Sequence, residues 1–332
     1  MTTRLRIGII GAGHFGRFHA QKVAAATRAI LAGIHDPDAA RAALVAAETT
    51  TVARPLEALL AASDAVVIAA PAHLHHRLAM TALDAGKHVL VEKPIAASLA
   101  EADEMAALAT AKGLVLQVGH LLRYSAEYQA ISARMPRPVY IECVRIAPFK
   151  TRGTDVSVIL DLMIHDIDLV LALVDSPVVG VDAIGTRVAS AHEDIANARL
   201  RFANGCVATI VASRVSLRTE RRMRLFGQDA YLAVDFATRK LTAIRRGHGT
   251  PIPLLDGAGM EEVSWEEHDA LAAEHTAFAA AILDGATILV DAQAGRRALD
   301  VALRVTASME AARAVAEASG LLAAAPPPRP PV

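Results

Sequence analysis

Two segments of this sequence hold side chains suited to binding and deprotonating a substrate. The first is Lys87-His88-Val89-Leu90-Val91-Glu92-Lys93-Pro94, an apolar run that stops at an acid, a base and a proline. A buried parallel strand has this pattern, and ligands of open α/β sheets bind beyond the carboxyl ends of the strands. We therefore expect Lys93 to lie beside a ligand, although an isolated Glu-Lys-Pro is more typical of a polar loop. The elements around it must decide between the two.

The second segment runs from Val158 to Asp168, in which Asp161, His165 and Asp168 are separated by four and three residues. On a helix predicted over 156–174, this spacing places all three side chains on one face. Acids and a histidine are costly to bury among apolar neighbours unless they meet partners or a ligand. Two other interpretations stay open: the histidine is satisfied in the core by its i,i+4 carboxylate, or the three side chains hold zinc or manganese. We predict no metal site, because no further acid or histidine follows at matching spacing nearby.

The start of the chain has the pattern of a strand, a glycine turn and a helix. Leu5 to Ile10 is apolar, and Gly11-Ala12-Gly13-His14-Phe15-Gly16 follows directly. The first glycine permits a tight turn, the second lets the backbone approach a pyrophosphate, and the third allows the helix to pack closely on the strand. Amides at the helix N-terminus would hold the phosphates. The predicted cofactor contacts of this turn are Gly11, Gly13, His14, Phe15 and Gly16.

A second predicted strand, Ala29 to Asp36, ends in an acid twenty residues after Gly16. In dinucleotide-binding folds an acid at this distance accepts hydrogen bonds from the adenosine ribose. It also repels the 2′-phosphate of NADP, so we expect NAD, with NADP less favoured. Asp36 could instead start a helix before Pro37, and the two roles are compatible. Strand, glycine turn, helix and acid in this order predict a dinucleotide-binding domain.

Strands and helices continue to alternate up to about residue 120. Further strands are predicted over 49–52, 65–70, 87–91 and 114–118, with helices between them. This alternation predicts an α/β fold whose N-terminal part, 1–120, is a Rossmann domain with a doubly wound parallel sheet. The loop after the strand at 65–70 is expected to face the cofactor cleft, which makes Pro71 and His75 candidate cofactor contacts. This loop contains three histidines, His73, His75 and His76. Such a group is also typical of a polar surface loop that binds no ligand.

A C-terminal α/β domain is predicted over 121–322. Strand-like segments follow one another closely between residues 138 and 244, and Asn204-Gly205 is a strong hairpin signal between two of them. From Ile195 to Ala203 small apolar residues alternate with mixed ones, which indicates one buried face. These features predict an open, mostly antiparallel sheet, through which we expect a homodimer or homotetramer. Helices are predicted over 266–284 and 291–319, and the proline-rich tail, 323–332, is expected to be disordered.

Composition excludes several classes of protein. Hydrophobic residues make up 53% and charged residues 21% of the 332 residues, as in globular proteins. The formal net charge is -1 with acids and bases mixed along the chain, so we expect no nucleic-acid partner. No apolar stretch approaches the roughly 18 residues that span a bilayer, and no signal-peptide core begins the chain, so we expect no membrane partner. Two cysteines, Cys143 and Cys206, fit a reducing, cytoplasmic setting.

Three motifs together resemble the glucose-fructose oxidoreductase/inositol dehydrogenase/MocA (Gfo/Idh/MocA) family. They are the glycine turn at 11–16, the stretch from Ala85 to Pro94, and Asp161 four residues before His165. The resemblance covers essentially the whole chain and implies a Rossmann domain followed by an α/β domain with an open sheet. It implies that Lys93 contacts the nicotinamide ribose and the substrate hydroxyl, and that the Asp-His pair binds and deprotonates the reacting alcohol. Glu92 is expected beside the cofactor as an anchor of the same turn.

A narrower resemblance leads to the UDP-N-acetylglucosamine 3-dehydrogenase branch of that family. It makes His120, Arg123 and Tyr124 candidate substrate contacts. The sequence departs from the branch at Leu122, where an acid is expected, and at Ser125-Ala126, where Asn-Pro is expected. The departures concern the identity of the substrate more than the type of reaction. The matching stretches are Val118 to Tyr124, Asp155 to Asp168, Asp194 to Arg199 and Ser213 to Ser216.

The resulting hypothesis is an NAD-dependent dehydrogenase that oxidises a secondary hydroxyl of a sugar ring. The favoured substrate group is the 3-hydroxyl of UDP-N-acetylglucosamine or a related nucleotide sugar. His165 would take the hydroxyl proton, Asp161 would orient the imidazole or a neighbouring hydroxyl, and Lys93 would stabilise the developing alkoxide. One rival is a dehydrogenase of a free polyol or aldose such as inositol. Another is a non-catalytic dinucleotide-binding regulator, which would be expected to lose the lysine or the histidine. Four cations could meet a diphosphate, although each is by default a solvated surface charge: Arg123, Lys150, Arg152 and Arg214.

Overall fold

The computed structural model describes residues 4–135, 137–150, 156–253, 255–266 and 268–322. Within these ranges no helix is both long enough and apolar enough to cross a membrane. Packing divides the chain into two compact units, one of residues 1–134 with 264–300 and the other of 135–263 with 301–332. The limits predicted from the sequence place one domain after the other, whereas the structure returns the chain to the first unit after residue 263. Arg152 and the proline-rich tail lie outside the described residues.

The first unit is built on a five-stranded sheet in which every neighbouring pair is parallel. The strand order is β2-β1-β3-β4-β5, which confirms the predicted Rossmann-type sheet. Strands that are buried on both faces have continuous apolar sequences, and β3 is fully buried along its length. The strands are β1 Leu5–Ile10, β2 Ala29–His35, β3 Ala65–Ile68, β4 His88–Glu92 and β5 Leu116–Gly119.

Helices connect these strands, and their caps follow the sequence. Ser98 Oγ accepts a hydrogen bond from the Glu101 amide at 3.3 Å, and Glu101 Oε2 accepts one from the Ser98 amide at 3.1 Å, so the two residues form a capping box at the start of the helix that follows. Phe278, from the returning part of the chain, is fully buried in one apolar cluster with Ile7 and Val23. The helices are α1 His14–Ala25, α2 Ala39–Glu48, α3 Leu56–Ala62, α4 His75–Asp84, α5 Leu99–Ala111, α6 Ala126–Arg134, and later α8 Ala270–Asp284 and the start of α9 Ala292–Ala318.

The strand predicted over 49–52 is wrong. Thr49 Oγ1 donates a hydrogen bond to the Val45 carbonyl at 2.7 Å, and Thr50 has left-handed backbone with φ 52°. Residues 49–52 therefore cap and follow α2, which ends at Glu48, and the only β contact described next to them is an isolated bridge between Ile34 and Ala53. The β-branched threonines suggested a strand, but their hydroxyl groups can also bond back to a helix. The strand before Lys93 is consequently the fourth of its sheet.

The second unit holds a nine-stranded sheet in the order β13-β14-β12-β11-β10-β6-β9-β8-β7. β6 and β9 are parallel, and the other pairs with described registers are antiparallel, as predicted. In β8 buried and exposed positions alternate strictly, and Gly205, with φ 88°, lies in the hairpin that follows. The strands are β6 Tyr140–Ile146, β7 Val178–Thr186, β8 Ile195–Phe202, β9 Val207–Ser213, β10 Glu220–Phe226, β11 Ala230–Asp235, β12 Lys240–Arg246, β13 Thr250–Pro251 and β14 Ala258–Ser264.

The helix predicted over 156–174 is a regular α-helix only in its second part. Ile159–Met163 forms a π-helical turn, and α7, Ile164–Val174, continues from it. Asp175 ends α7 in the left-handed conformation with φ 46°. Asp161 lies within the π-helical turn, a feature that frequently marks functional sites.

Candidate active site

The glycine turn joins the carboxyl end of β1 to the N-terminus of α1. Gly11 has φ 100°, and a Cβ on it would lie 2.6 Å from the Ala69 carbonyl oxygen. A Cβ on Gly16 would lie 1.8 Å from the Gly11 carbonyl oxygen, so neither position tolerates a side chain. A Cβ on Gly13 would meet no described atom within 4 Å. The turn therefore presents helix N-terminal amides beside open backbone surface, which fits the pyrophosphate of a dinucleotide.

Two side chains of the same turn are accessible. His14 and Phe15 are both exposed at the first turn of α1, Phe15 to 38%. The His14 ring packs edge-on against Phe18, with ring centroids 4.7 Å apart. Their predicted contact with the cofactor stays a prediction, and their exposure is compatible with it.

Asp36 directly follows β2, and its carboxylate fastens the glycine turn. Oδ2 accepts a hydrogen bond from the Ala12 amide at 2.7 Å, and Oδ1 accepts one from the Asp38 amide at 2.8 Å. The Asp36 side chain is only 7% exposed, and Arg41 Nη1 lies 3.7 Å from Oδ2. The residue that caps α2 is Asp38, whose side chain accepts a hydrogen bond from the Arg41 amide. Asp36 is thus held at the strand end where the adenosine ribose is expected.

His75 ties the loop after β3 to the turn that contains Lys93. Its Nδ1 lies 2.8 Å from the Pro94 carbonyl oxygen, and its Nε2 lies 2.8 Å from the Ala70 carbonyl oxygen. Burial lowers the pKa of His75, although both carbonyl oxygens and the charge of Glu92 favour the protonated ring. Because both ring nitrogens face backbone oxygens, His75 acts in this structure as an anchor between two loops. Pro71, one residue after Ala70, is exposed, and the cofactor contacts of Pro71 and His75 stay predictions.

Lys93 is half-buried at the carboxyl end of β4, directly after the buried Glu92. The Lys93-Pro94 peptide bond is cis. The Lys93 amide donates a hydrogen bond to Glu92 Oε2 at 3.3 Å, so the carboxylate folds back onto the turn. A Cβ on Gly119 of β5 would lie 3.1 Å from the Glu92 carboxyl carbon, and the glycine therefore makes room for this side chain. The strand predicted over 87–91 is confirmed as β4, whereas the expectation that Lys93 lies beside a ligand stays a prediction.

Behind this turn lies a buried group that the sequence interpretation missed. It consists of His19 on α1, Glu92 on β4, and Glu274 and His275 on α8, all at most 9% exposed. We refer to these four residues as the acid–histidine cluster. A sequence signal existed, because Glu274 and His275 interrupt an alanine-rich helix and His19 lies three residues after Gly16 on the face that packs against the sheet. Nothing in the sequence, however, linked residue 19 to residue 275.

The segment after β5 positions the candidate substrate contacts of the first unit. It forms a 3-10 turn over Leu121–Tyr124, in which Tyr124 is 4% exposed; His120, just before it, is 1% exposed. Arg123 is half-buried, and its guanidinium carbon lies 5.0 Å from the centroid of the Tyr128 ring. Arg123 therefore retains some accessible surface, whereas His120 and Tyr124 are enclosed by protein. Contact of all three with substrate stays a prediction.

In the second unit, Asp161 and His165 are both half-buried, whereas Asp168 is only 2% exposed. The Asp161 amide donates to the Ser157 carbonyl at 3.0 Å, which continues the helical path through the π-turn. Asp168 is accordingly an interior residue, and the accessible pair is Asp161 with His165. Their roles toward substrate stay predictions.

The residue after His165 anchors its helix to the sheet. Asp166 accepts hydrogen bonds from Nε and Nη2 of Arg145 on β6, both at 2.7 Å. The two side chains are 4% and 9% exposed, so the pair is buried. A bidentate arginine–carboxylate pair has a defined geometry. It therefore fixes the first turn of α7, on which His165 lies, against the centre of the second sheet.

A second buried ion pair holds the segment that precedes the π-turn. Arg214 Nε donates to Asp194 Oδ1 at 2.8 Å, and Arg214 Nη1 donates to the Val156 carbonyl at 2.9 Å. Burial opposes the charge of Asp194, but amide hydrogen bonds, first from Ala189, together with the guanidinium keep its pKa well below 3.8. The expectation that Arg214 is by default a solvated surface charge is wrong, since it is 4% exposed and ion-paired.

Comparison with known proteins agrees with this architecture. A family model described as oxidoreductase family, NAD-binding Rossmann fold, matches residues 5–120, and one described as GFO/IDH/MocA C-terminal domain matches residues 129–233. A UDP-N-acetylglucosamine 3-dehydrogenase of Acidithiobacillus ferrooxidans is 44% identical, over 92% of this chain and 98% of the relative. An inositol 2-dehydrogenase of Leifsonia xyli is 30% identical, over 83% of this chain and 80% of the relative.

Solved structures show the same fold. UDP-N-acetylglucosamine 3-dehydrogenase GnnA from Acidithiobacillus ferrooxidans superposes with a TM-score of 0.88 at 43% identity, covering 93% of this chain and 98% of that one. Scyllo-inositol dehydrogenase from Lactobacillus casei, with bound NAD(H) and scyllo-inositol, has a TM-score of 0.77 at 21% identity, covering 93% and 97%, and shares the fold. The two family models, the identity to full-length relatives and the glycine turn lead to one conclusion: the chain belongs to the Gfo/Idh/MocA family of NAD-binding oxidoreductases.

Proposed function

We propose that this protein is an NAD-dependent dehydrogenase that oxidises the 3-hydroxyl of UDP-N-acetylglucosamine or a closely related nucleotide sugar. The observation that carries the proposal is the 44% identity to a UDP-N-acetylglucosamine 3-dehydrogenase over nearly the whole length of both chains. The inositol 2-dehydrogenase of Leifsonia xyli is 30% identical, which favours a nucleotide sugar over a free polyol. The presence of Lys93, Asp161 and His165 supports an enzyme over a non-catalytic regulator.

The proposed chemistry assigns one task to each side chain. His165 takes the proton of the reacting hydroxyl as general base. Asp161, four residues earlier, orients the imidazole or a neighbouring sugar hydroxyl. Lys93 donates a hydrogen bond to the oxygen as negative charge develops on it. A dinucleotide held by the glycine turn at 11–16 and Asp36 would supply the hydride acceptor, so that loss of the C–H and O–H bonds would leave a ketone.

For the cofactor, we infer a preference for NAD over NADP. Asp36 supports it, because its carboxylate is held at the end of β2 by two amides and would repel a 2′-phosphate. Arg41 lies 3.7 Å away, but the carboxylates of both Asp36 and Asp38 already engage it. The preference is therefore expected to depend on the charge of Asp36.

We also infer a cytoplasmic homodimer or homotetramer that associates through the second sheet, with no nucleic-acid or membrane partner. Free, buried Cys143 and Cys206 are compatible with a reducing compartment. Apolar side chains on the outermost strand and its neighbour support the association, with exposures of 63% for Val179, 66% for Ile184 and 36% for Ile195. Burying such apolar side chains under a second copy of the chain would stabilise the assembly.

The direct test is NADH formation, followed by absorbance, with UDP-N-acetylglucosamine, UDP-N-acetylgalactosamine, UDP-glucose, free N-acetylglucosamine and myo-inositol as substrates. We expect turnover of a UDP-N-acetylhexosamine and a 3-keto product by mass spectrometry and NMR. Turnover of myo-inositol alone would replace the proposal with a polyol dehydrogenase. NAD binding with no turnover of any substrate would favour a regulator.

A further inference from the structure

The acid–histidine cluster lies directly behind the Lys93 turn, and the proposed reaction assigns no task to any of its four residues. Hydrogen bonds connect it to the turn in a line. His275 Nε2 lies 2.9 Å from His19 Nδ1, and His19 Nε2 lies 2.8 Å from Glu92 Oε1. The other Glu92 oxygen then accepts the Lys93 amide at 3.3 Å. A change in the charge of the cluster would therefore change the electrostatic potential at Lys93.

Glu274 is the exceptional member of this cluster. It is fully buried, and neither carboxyl oxygen has a hydrogen-bond partner among the described residues. One carboxyl oxygen of Glu274, one carboxyl oxygen of Glu92 and one ring nitrogen of His19 all lie within 4.8 Å of one another. A buried carboxylate without a partner is costly, and two carboxylates this close cannot both ionise away from water. A proton or a cation must accompany the pair.

The hydrogen bonds of His19 favour a proton over a metal ion. Both of its ring nitrogens are already engaged, Nδ1 with His275 and Nε2 with Glu92. A metal ion needs a ring nitrogen with a free lone pair at about 2.0–2.1 Å, and would have to displace the Glu92 bond. A proton on Glu274 needs no such rearrangement, because the neutral acid is compatible with an apolar site.

The charges around the cluster indicate which acid carries the proton. Glu92 faces His19, Lys93 and His75, which favour its ionised form and, despite burial, lower its pKa. Glu274 faces Glu92, and burial together with that negative charge raises the pKa of Glu274 well above 4.5. Asp269 and Lys22 act on His275 with opposite signs, while burial and His19 lower the pKa of His275. The consistent state is an ionised Glu92, a neutral Glu274 and a neutral His275.

We propose that Glu274 is a positioning residue for Lys93, resting on the proposed role of Lys93 in the dehydrogenase reaction. As a neutral acid it leaves Glu92 as the single negative charge of the cluster and keeps water away from it. Glu92 then holds its carboxylate on the Lys93 turn, and this charge keeps Lys93 protonated and able to donate to the developing alkoxide.

The first test titrates Lys93 without any sugar substrate. The pH dependence of its acetylation by trace acetic anhydride is read by peptide mass spectrometry in the wild type and in Glu274→Gln, Glu274→Ala and Glu92→Gln. Glu92→Gln should shift the titration midpoint downward, because the stabilising charge is gone. Glu274→Ala should shift it in the same direction, since water then reaches Glu92. Glu274→Gln replaces the neutral acid with a neutral amide of the same size, so its titration midpoint should equal that of the wild type.

Glu104→Gln provides the matched control, because Glu104 is 61% exposed on α5. A downward shift in Glu274→Gln equal to that in Glu92→Gln would show that Glu274 is ionised and would overturn the proposal. An unchanged midpoint in Glu274→Ala would show that Glu274 does not act on Lys93, with the same consequence.

The second test detects the proton itself. An infrared spectrum in D₂O should contain the carbonyl stretch of a buried carboxylic acid, and Glu274→Gln should remove it. Absence of that band would show that Glu274 is not protonated and would overturn the proposal. A stoichiometric divalent metal in the purified protein, lost in Glu274→Gln, would do the same, because a cation and not a proton would then neutralise the cluster. Both tests are free of sugar substrate, so failure of the proposed function leaves their outcome unaffected, and failure of this inference leaves the dehydrogenase assay unaffected.

Discussion

Lys93 and His165 carry the proposed chemistry as single residues, and each is half-buried with accessible surface. Lys93→Ala removes the donor to the developing alkoxide, and His165→Ala removes the base. We expect each to lower kcat by roughly 10²–10⁴-fold, the usual contribution of a positioned proton-transfer group, while the Kd for NAD stays close to that of the wild type. Stopped-flow NADH formation and calorimetric NAD binding check this.

Lys112→Ala and His248→Ala remove the same side chains from exposed positions and should leave kcat unchanged. Turnover near the wild-type rate in both Lys93→Ala and His165→Ala would show that the base and the donor are assigned to the wrong residues.

Asp36 allows a similar test of cofactor choice. Repulsion between a carboxylate and a phosphate about 5 Å apart is worth about 3 kcal/mol at an effective dielectric constant of about 20, so NAD should bind about two orders of magnitude more tightly than NADP. Asp36→Asn keeps an acceptor for the Ala12 amide but removes the charge, and should raise NADP affinity with little effect on NAD. Isothermal titration of both cofactors measures the ratio. Equal affinities in the wild type would contradict the assignment.

At the scale of elements, the buried Arg145–Asp166 pair fixes α7 on the second sheet. Asp166→Asn leaves the Arg145 charge buried without a counter-charge and beside Arg221, whose pKa is lowered first by burial and then by Arg145. Breaking such a pair costs about 3–5 kcal/mol of unfolding free energy. Urea unfolding of Asp166→Asn against Asp182→Asn, an exposed aspartate on β7, measures the difference. A loss no larger than that of Asp182→Asn would show that the pair does not anchor the helix.

The elements also show how far local patterns extend. The strands of the first sheet and the Ser98–Glu101 capping box follow from sequence, because burial on both faces and end-capping leave local signatures. The false strand at 49–52 arose because threonine favours strands in general but can also bond back to a helix end, as Thr49 does. The π-turn around Asp161 had no sequence signature distinct from an ordinary helix.

At the scale of the whole molecule, the proposed association through the second sheet depends on exposed apolar residues of β7 and β8. Ile184→Glu places a charge where a second copy would pack, so we expect a lower molar mass by light scattering at micromolar concentration. Leu44→Glu, at a position 62% exposed on α2, is the control and should leave the mass unchanged. A monomeric wild-type protein, or an Ile184→Glu variant with wild-type mass, would show that this part of the sheet is not the interface.

The sequence by itself determined the Rossmann domain, the glycine turn, Asp36 at its strand end and Lys93 after a buried strand, because each depends on neighbours within a few tens of residues. Tertiary structure decided the rest. His19 meets His275 across 256 positions of the chain, Arg214 reaches Val156 across 58, and Arg145 meets Asp166 across 21. Such partners are set by the folding of separate elements onto one core. The tertiary structure therefore decides whether a buried ionisable group is paired, as Arg214 is, or neutral, as we propose for Glu274.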